Sequence, residues 1–186
     1  MDYYKINLDS AVEMWELAEP VTALGTPVDE SLFLRAQKYM GSQPLVLRIE
    51  ECGQPVSFYL SAFHMPVVER RFAERLDELC SGEAQLVAVT VPTAEREYVI
   101  LNVLQERQCV DEQKTTEVGR WTMEDGIPEL VGKYHALTGL RVDARNIGDA
   151  QIFRIKDFPV ALIVSERVKD AWEEMGISGV KFQPVS

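Results

Sequence analysis

Apolar residues recur along this chain with two different periods, and each change of period marks an element. Valines at 87, 89 and 91 fall on every second position and predict a strand over residues 85–91. Tyr98-Val99-Ile100-Leu101-Asn102-Val103-Leu104 is nearly all apolar, the pattern of a strand covered on both faces. Val68, Phe72, Leu76 and Leu79 instead recur at helical spacing, with Pro66 suited to a first turn and Ser81-Gly82 to a stop. Arg70, Glu74 and Asp77 fall on the opposite face of that helix. A second helix follows Ser165, a good N-cap, with Val168, Ala171, Trp172 and Met175 on one face and Gly176 as its stop. Leu45-Val46-Leu47-Arg48-Ile49 and residues 56–63 read as strands on either side of a hairpin or corner at Glu51-Cys52-Gly53-Gln54-Pro55. Shorter strands are expected over residues 140–143, 151–156, 160–164 and 180–185. Residues 105–118 read as a polar strand or connection, and residues 117–133 as a long surface loop with Trp121 tucked beneath it.

Residues 58–91 and 158–185 share one order: apolar strand, helix, glycine, strand. An old duplication and the common way of covering a sheet both give that order. The fold class predicted is α+β: strand-rich mixed sheets with two main helices, in two packed lobes. The expected division is an N-terminal strand-rich lobe with an acidic arm (1–65), a connecting helix (66–82) and a C-terminal α+β lobe (83–186).

The arm changes the picture once charge is considered. From Asp9 to Glu30 there are six acids and no Lys or Arg, while Pro20, Gly25 and Pro27 break the segment into turns and Trp15 and Leu17 anchor it. The whole chain has 30 acids against 19 bases, a formal net charge of −11. That charge repels phosphate backbones and anionic membranes, so no direct nucleic-acid or membrane partner is expected. No apolar run reaches the ~20 residues of a membrane helix, and the opening residues lack the pattern of a secretion signal. Cys52, Cys80 and Cys109 are an odd number at wide spacings and are expected to be buried thiols in a reducing cytoplasm.

A search for catalytic chemistry returns nothing. His64 is expected at a helix entry or in the core, and His135 on a surface loop; neither has a partner at nucleophile or zinc-ligand spacing. Gly126 to Lys133 misses a phosphate loop by one residue, and Tyr134 stands where a hydroxyl should reach magnesium. Asp143 to Gly148 resembles a calcium loop, but Arg145 and Arg154 occupy ligand positions. No catalytic residue, metal or cofactor is assigned, and the expectation is a binding protein, not an enzyme.

The order of features from Met1 to Val185 resembles bacterial immunity protein family eleven, formerly a domain of unknown function in polymorphic-toxin loci. The resemblance rests on Tyr3-Tyr4, Trp15-Glu16-Leu17 with Pro20, Gly53-x-Pro55-x-x-Phe58, Pro66-Val67-Val68, Tyr98-Val99-Ile100-Leu101-Asn102 and Cys109-Val110-Asp111. It continues through Gly139-Leu140-Arg141-Val142-Asp143, Ile152-Phe153-Arg154, Ile163-Val164-Ser165-Glu166 and Gly179-Val180-x-Phe182-x-Pro184-Val185. The resemblance implies a cytoplasmic antidote to a toxin made beside it, often a nuclease, with no catalytic motif to carry over. An acidic antidote suits a basic nuclease, because opposite charge steers association. The partner-binding residues expected are Arg70, Glu74, Asp77 and Glu78 on the first helix, and Glu13, Trp15, Glu16 and Glu19 on the arm. The alternative is a non-catalytic adaptor or homodimeric scaffold.

Overall fold

The computed structural model describes residues 1–61 and 64–186. In chain order its elements are β1 (Tyr3–Leu8), β2 (Glu16–Leu17), β3 (Leu45–Val46), β4 (Ile49–Glu51), β5 (Phe58–Leu60), β6 (Pro66–Glu69), α1 (Arg70–Leu79), β7 (Ala84–Thr90) and β8 (Tyr98–Val103). They continue with β9 (Glu106–Arg107), β10 (Glu117–Arg120), β11 (Tyr134–Thr138), β12 (Ile152–Ile155), β13 (Phe158–Ser165), α2 (Glu166–Glu174) and β14 (Val180–Pro184). The chain is α+β with mixed sheets. One sheet has the order β3-β7-β8-β6-β5 and the other β14-β1-β13-β12-β9, while β2 with β4 and β10 with β11 form ribbons.

The two sheets are built on one plan. In the first, β6 and β7 both run antiparallel to β8, so α1 joins two parallel strands across an inserted one, and β5 flanks β6 antiparallel. In the second, β13 and β14 both run antiparallel to β1, α2 makes the same crossover, and β12 flanks β13 antiparallel. The inserted strand differs only in chain order: β8 follows its unit, whereas β1 comes from the other end of the sequence. Sheet membership therefore crosses residues 65 and 83, since β1 lies in the second sheet and β7 and β8 in the first.

Side-chain alternation then sorts the strands into layers. Phe58, Val68, Val99, Leu101 and Val103 of the first sheet and Ile6, Ile152, Leu162 and Val164 of the second meet Phe72, Leu76, Val168 and Trp172 of the helices in a central core. The other face of the first sheet, with Val67, Val87, Tyr98 and Ile100, is covered by the arm through Leu17 and Phe33. The other face of the second, with Tyr3, Phe153 and Ile163, is covered by Cys109, Leu137, Leu140 and Ile147. β8 is buried at all six positions, as a strand sandwiched between α1 and the arm must be.

Three contacts lock the sheets together. Trp172 of α2 is 0% exposed, and its indole N–H donates to the Phe72 carbonyl of α1 at 2.9 Å. Glu83, before β7, accepts the backbone N–H groups of Gln151 and Ile152 at 2.8 and 2.9 Å. Ser178 accepts from the Phe58 amide, and Gly179 follows with φ +86°; a Cβ there would lie 2.5 Å from the Phe58 carbonyl oxygen, so only glycine fits. The local signals of α2 hold as read: the Ser165 hydroxyl accepts from Val168 N, and the amides of Gly176 and Ile177 return to Glu173 and Trp172 in a Schellman cap.

Several expectations are corrected. The first helix begins at Arg70, because Pro66, Val67 and Val68 form β6; two β-branched residues favour the strand, and proline is tolerated at its first position. Residues 140–143 make only a single bridge, Val110 to Val142, before Asp143 caps a 3-10 turn. The expected loop after residue 117 is framed by the β10–β11 ribbon, so His135 lies in a strand, edge-on to Trp121 at 5.4 Å. His64 is exposed, with φ +60°, at a corner before β6. Cys52 is exposed, while Cys80 and Cys109 are buried. Residues 45–49 and 56–63 do not pair with each other: β3 joins β7, β4 joins β2, and Ala62 and Phe63 lie outside the described residues.

The arm is fixed partly by an acid. Glu30 opens a 3-10 turn capped by Asp29, is 3% exposed, and accepts from Ser61 Oγ at 3.1 Å, with Oε1 unpartnered among the described residues. Burial pushes its pKa up to about 7 from an ordinary value near 4.5, against the opposing pull of the Ser61 bond. The folded state holds this proton more tightly than the unfolded chain, so its contribution is complete below pH ~4.5 and is lost as pH rises through 7. Glu30→Gln is expected to remove that loss and to be more stable than the parent at pH 8 by about 1–3 kcal/mol, measured by urea unfolding across pH 5–8. Equal pH slopes in the two proteins would refute it. Trp172→Phe is expected to cost about 2–3 kcal/mol, from a cavity and an orphaned hydrogen bond, with tryptophan-independent probes reporting one transition.

Candidate functional site

The eight residues expected to bind a partner lie on two different surfaces. α1 packs on one face of the first sheet and the arm on the other, so the structure does not bring Glu13, Trp15, Glu16 and Glu19 together with Arg70, Glu74, Asp77 and Glu78. The two surfaces also differ in their charge balance. On α1, Arg70 is 2.8 Å from Glu97 and 3.9 Å from Glu74, and Arg75 is 2.8 Å from Glu78. Asp77 alone of those acids has no ion pair among the described residues.

The arm is ordered by its backbone while its acids face solvent. Glu13 O accepts from Gln54 N, and Gly53 presses against the Met14 backbone where a Cβ would lie 2.5 Å from Met14 C. Trp15 stacks on Tyr59 at 6.1 Å with planes 4° apart, so it anchors the arm and is only half-exposed. Glu16 pairs across the β2–β4 ribbon directly opposite Glu51, an unfavourable like-charge neighbour. Ala18 and Val21 bond to Arg48 and Val46, and residues 22–26 close a turn through Thr22 N to Thr26 O and Gly25 N to Thr22 O. At the tip of that turn Leu24 is 95% exposed. Glu16, Glu19, Arg48 and Glu50 line a cleft of about 550 Å³ beside it. None of Glu13, Glu16, Glu19, Glu50 and Glu51 has an ion pair among the described residues.

Leu24, Glu50 and Glu51 were not singled out from the sequence. Glu50-Glu51 sits outside the charge run of the arm, and only the pairing of β4 with β2 brings it there.

Two other cavities lie on the surface. One, about 570 Å³, is lined by Asp111, Glu112, Arg120, Tyr134, Asp143 and Arg145. Its charges satisfy one another: Glu112 accepts from Tyr134 and Arg120, Arg120 lies 3.9 Å over the Tyr134 ring, and Arg145 holds the Asp143 carboxyl down to about 2. The other, about 660 Å³, lies between β1, β13 and the end of β5, lined by Lys5, Ile6, Leu8, Leu60, His64 and Val160. Among the described residues no group of three His, Cys, Asp or Glu side chains could hold a metal ion. No helix among them is long and apolar enough to cross a membrane.

No curated protein matches the chain. A family model does match, over residues 38–186, which include both helices and most of both sheets but leave β1 and the arm up to residue 37 outside. The chain belongs to the family described as Immunity protein family (Imm11).

Proposed function

We propose that this chain neutralises a cognate toxin, a basic nuclease, by binding it one to one in the cytoplasm through the arm face. The observation that carries the reading is the arm itself: five exposed glutamates with no ion pair among the described residues, around a leucine presented on a closed turn. A nuclease holds phosphates with cations, so such a surface attracts it from a distance and competes with its substrate. An apolar anchor within a charged rim is the usual pattern of residues that dominate binding energy. Because the backbone is already ordered by β2, β4 and the stacked Trp15, little entropy is lost on docking. The face of α1 is the weaker candidate, since Glu74 and Glu78 are paired with Arg70 and Arg75 within the helix and Arg70 also pairs with Glu97.

The test is co-expression with the C-terminal domain of the product encoded beside the gene, followed by purification and binding kinetics. The expected outcome is a one-to-one complex that silences the neighbour's toxicity, with an association rate that falls as salt rises. Reversing Glu13, Glu16 and Glu19 to Lys is expected to slow association about tenfold or more and to flatten its salt dependence. Reversing Glu74 and Asp77 is expected to change it less than threefold. The opposite ranking would move the interface to α1, and a harmless or non-binding neighbour would remove the antidote reading.

A further inference from the structure

One edge of the first sheet lies open along part of β7. The register of β7 with β8 runs from Ala84↔Val103 to Ala88↔Val99, and one step before it the Leu104 amide donates to Glu83 O. By alternation Gln85 and Val87 turn their main-chain groups to β8, while Ala84, Leu86 and Ala88 turn theirs outward. Leu47 N bonds to Thr90 O on that outer side, in the same phase. There β3 reaches β7 only at Leu45↔Val89 and Val46↔Thr90, a register that takes Ala88 O and Thr90 N. No other strand stands on this side in the sheet order. Among the described residues, no loop, turn or side chain bonds to the main chain of Ala84 or Leu86 or to Ala88 N. The N–H and C=O of Ala84 and Leu86 and the N–H of Ala88 are therefore left at the edge.

The strand carries none of the usual protection of an edge. Lysine, proline or an inward charge commonly blunts such strands, but residues 84–90 read Ala-Gln-Leu-Val-Ala-Val-Thr, without a charge in a chain of 30 acids and 19 bases. Beside it the Tyr39 amide donates to Gln85 Oε1 at 2.8 Å and Gln85 Nε2 donates to Tyr39 O at 2.9 Å. The next residue, Met40, is 88% exposed. The occupant that fits is another copy of the same strand. An antiparallel ladder centred on Gln85 sets Ala84 of each copy opposite Leu86 of the other, uses the N–H and C=O of both, and stops short of the positions that β3 fills. It sets Gln85 against Gln85 and places no charged side chain opposite a like one. A basic toxin finds no such match here, since its attraction is to the glutamates of the arm.

We infer that two copies of this chain associate through β7, joining their first sheets into one continuous sheet across a two-fold axis at Gln85. The inference stands apart from the antidote reading: it needs no toxin, and pairing at an edge consumes neither face of the sheet, so both arms stay available for one. Each copy carries −11, so the chains repel as wholes while the strands that meet are neutral. Dimerisation therefore tightens as salt rises, the opposite of the response expected of the toxin complex.

The test is sedimentation equilibrium of the purified full chain over a wide range of concentration at low and high salt, with residue-resolved amide exchange at both ends of that range. The mass is expected to rise from the monomer's 21.1 kDa toward twice that value, and to do so at lower concentration when salt is high. The amides of Ala84 and Leu86 are expected to exchange about tenfold or more slowly in the dimer. Ala84→Pro removes an N–H that has no acceptor within the chain, at the first position of a strand, and is expected to weaken the dimer about tenfold, with folding checked by thermal unfolding. If that variant fails to fold, the amide exchange of the parent decides alone. A monomer at every concentration overturns the inference, as does a dimer in which Ala84 and Leu86 exchange as in the monomer, or one that loosens as salt rises. Protection of those amides only in a complex with toxin gives the edge to the toxin, which overturns self-association and leaves the antidote reading standing.

Discussion

The indole of Trp172 is the point through which the two sheets share one interior. It lies wholly inside the central core, touches Phe58 of the first sheet with its ring, and spends its one hydrogen bond on the backbone of α1. A buried indole N–H without an acceptor costs about 1–3 kcal/mol, so the two helices are held in one mutual position as well as in contact. Each helix in turn covers the crossover of its own sheet. Fixing α1 against α2 therefore fixes both sheets, and with them the arm on one outer face and the residues 105–150 covering on the other.

The repeated plan gives the molecule its internal logic. A helix joining two parallel strands across an inserted antiparallel strand buries one face of the sheet but leaves the other bare. Both units meet this need in the same way, with an irregular segment laid over the outer face: residues 10–40 over the first sheet and residues 105–150 over the second. The uncompensated glutamates collect on the first cover and the self-paired charges on the second.

Local signals were legible where the structure is local. The caps of α2, the alternating valines of β7 and the all-apolar β8 can each be read from fewer than a dozen residues. β1 could not, because Tyr3–Leu8 mixes polar and apolar residues and is a strand only by virtue of partners at the far end of the chain. β11 was hidden for the same reason, with His135 and Thr138 facing solvent on a ribbon. The start of α1 was misplaced because Val68 fits the helical stripe in phase while belonging to β6. At the arm, Trp15 and the acids could be picked out as a charged, anchored segment. The contribution of Glu50, Glu51 and Leu24 depends on strand pairing and turn geometry, which composition does not encode.

The place of β1 has a consequence for synthesis. It precedes the other strands of its sheet along the chain and lies between β14 and β13, so Tyr4 must wait for Val164 and Pro184 before either side is filled. At translation rates of about 5–20 residues per second, that wait is on the order of ten seconds or more. The first sheet can assemble from residues 45–103 well before then, but the shared core, and the Trp172 contact that fixes it, form only after α2 has been made. A chain synthesised only as far as the first sheet therefore holds β1 with neither neighbour, and the second sheet closes around it only after β13 and β14 have both been made.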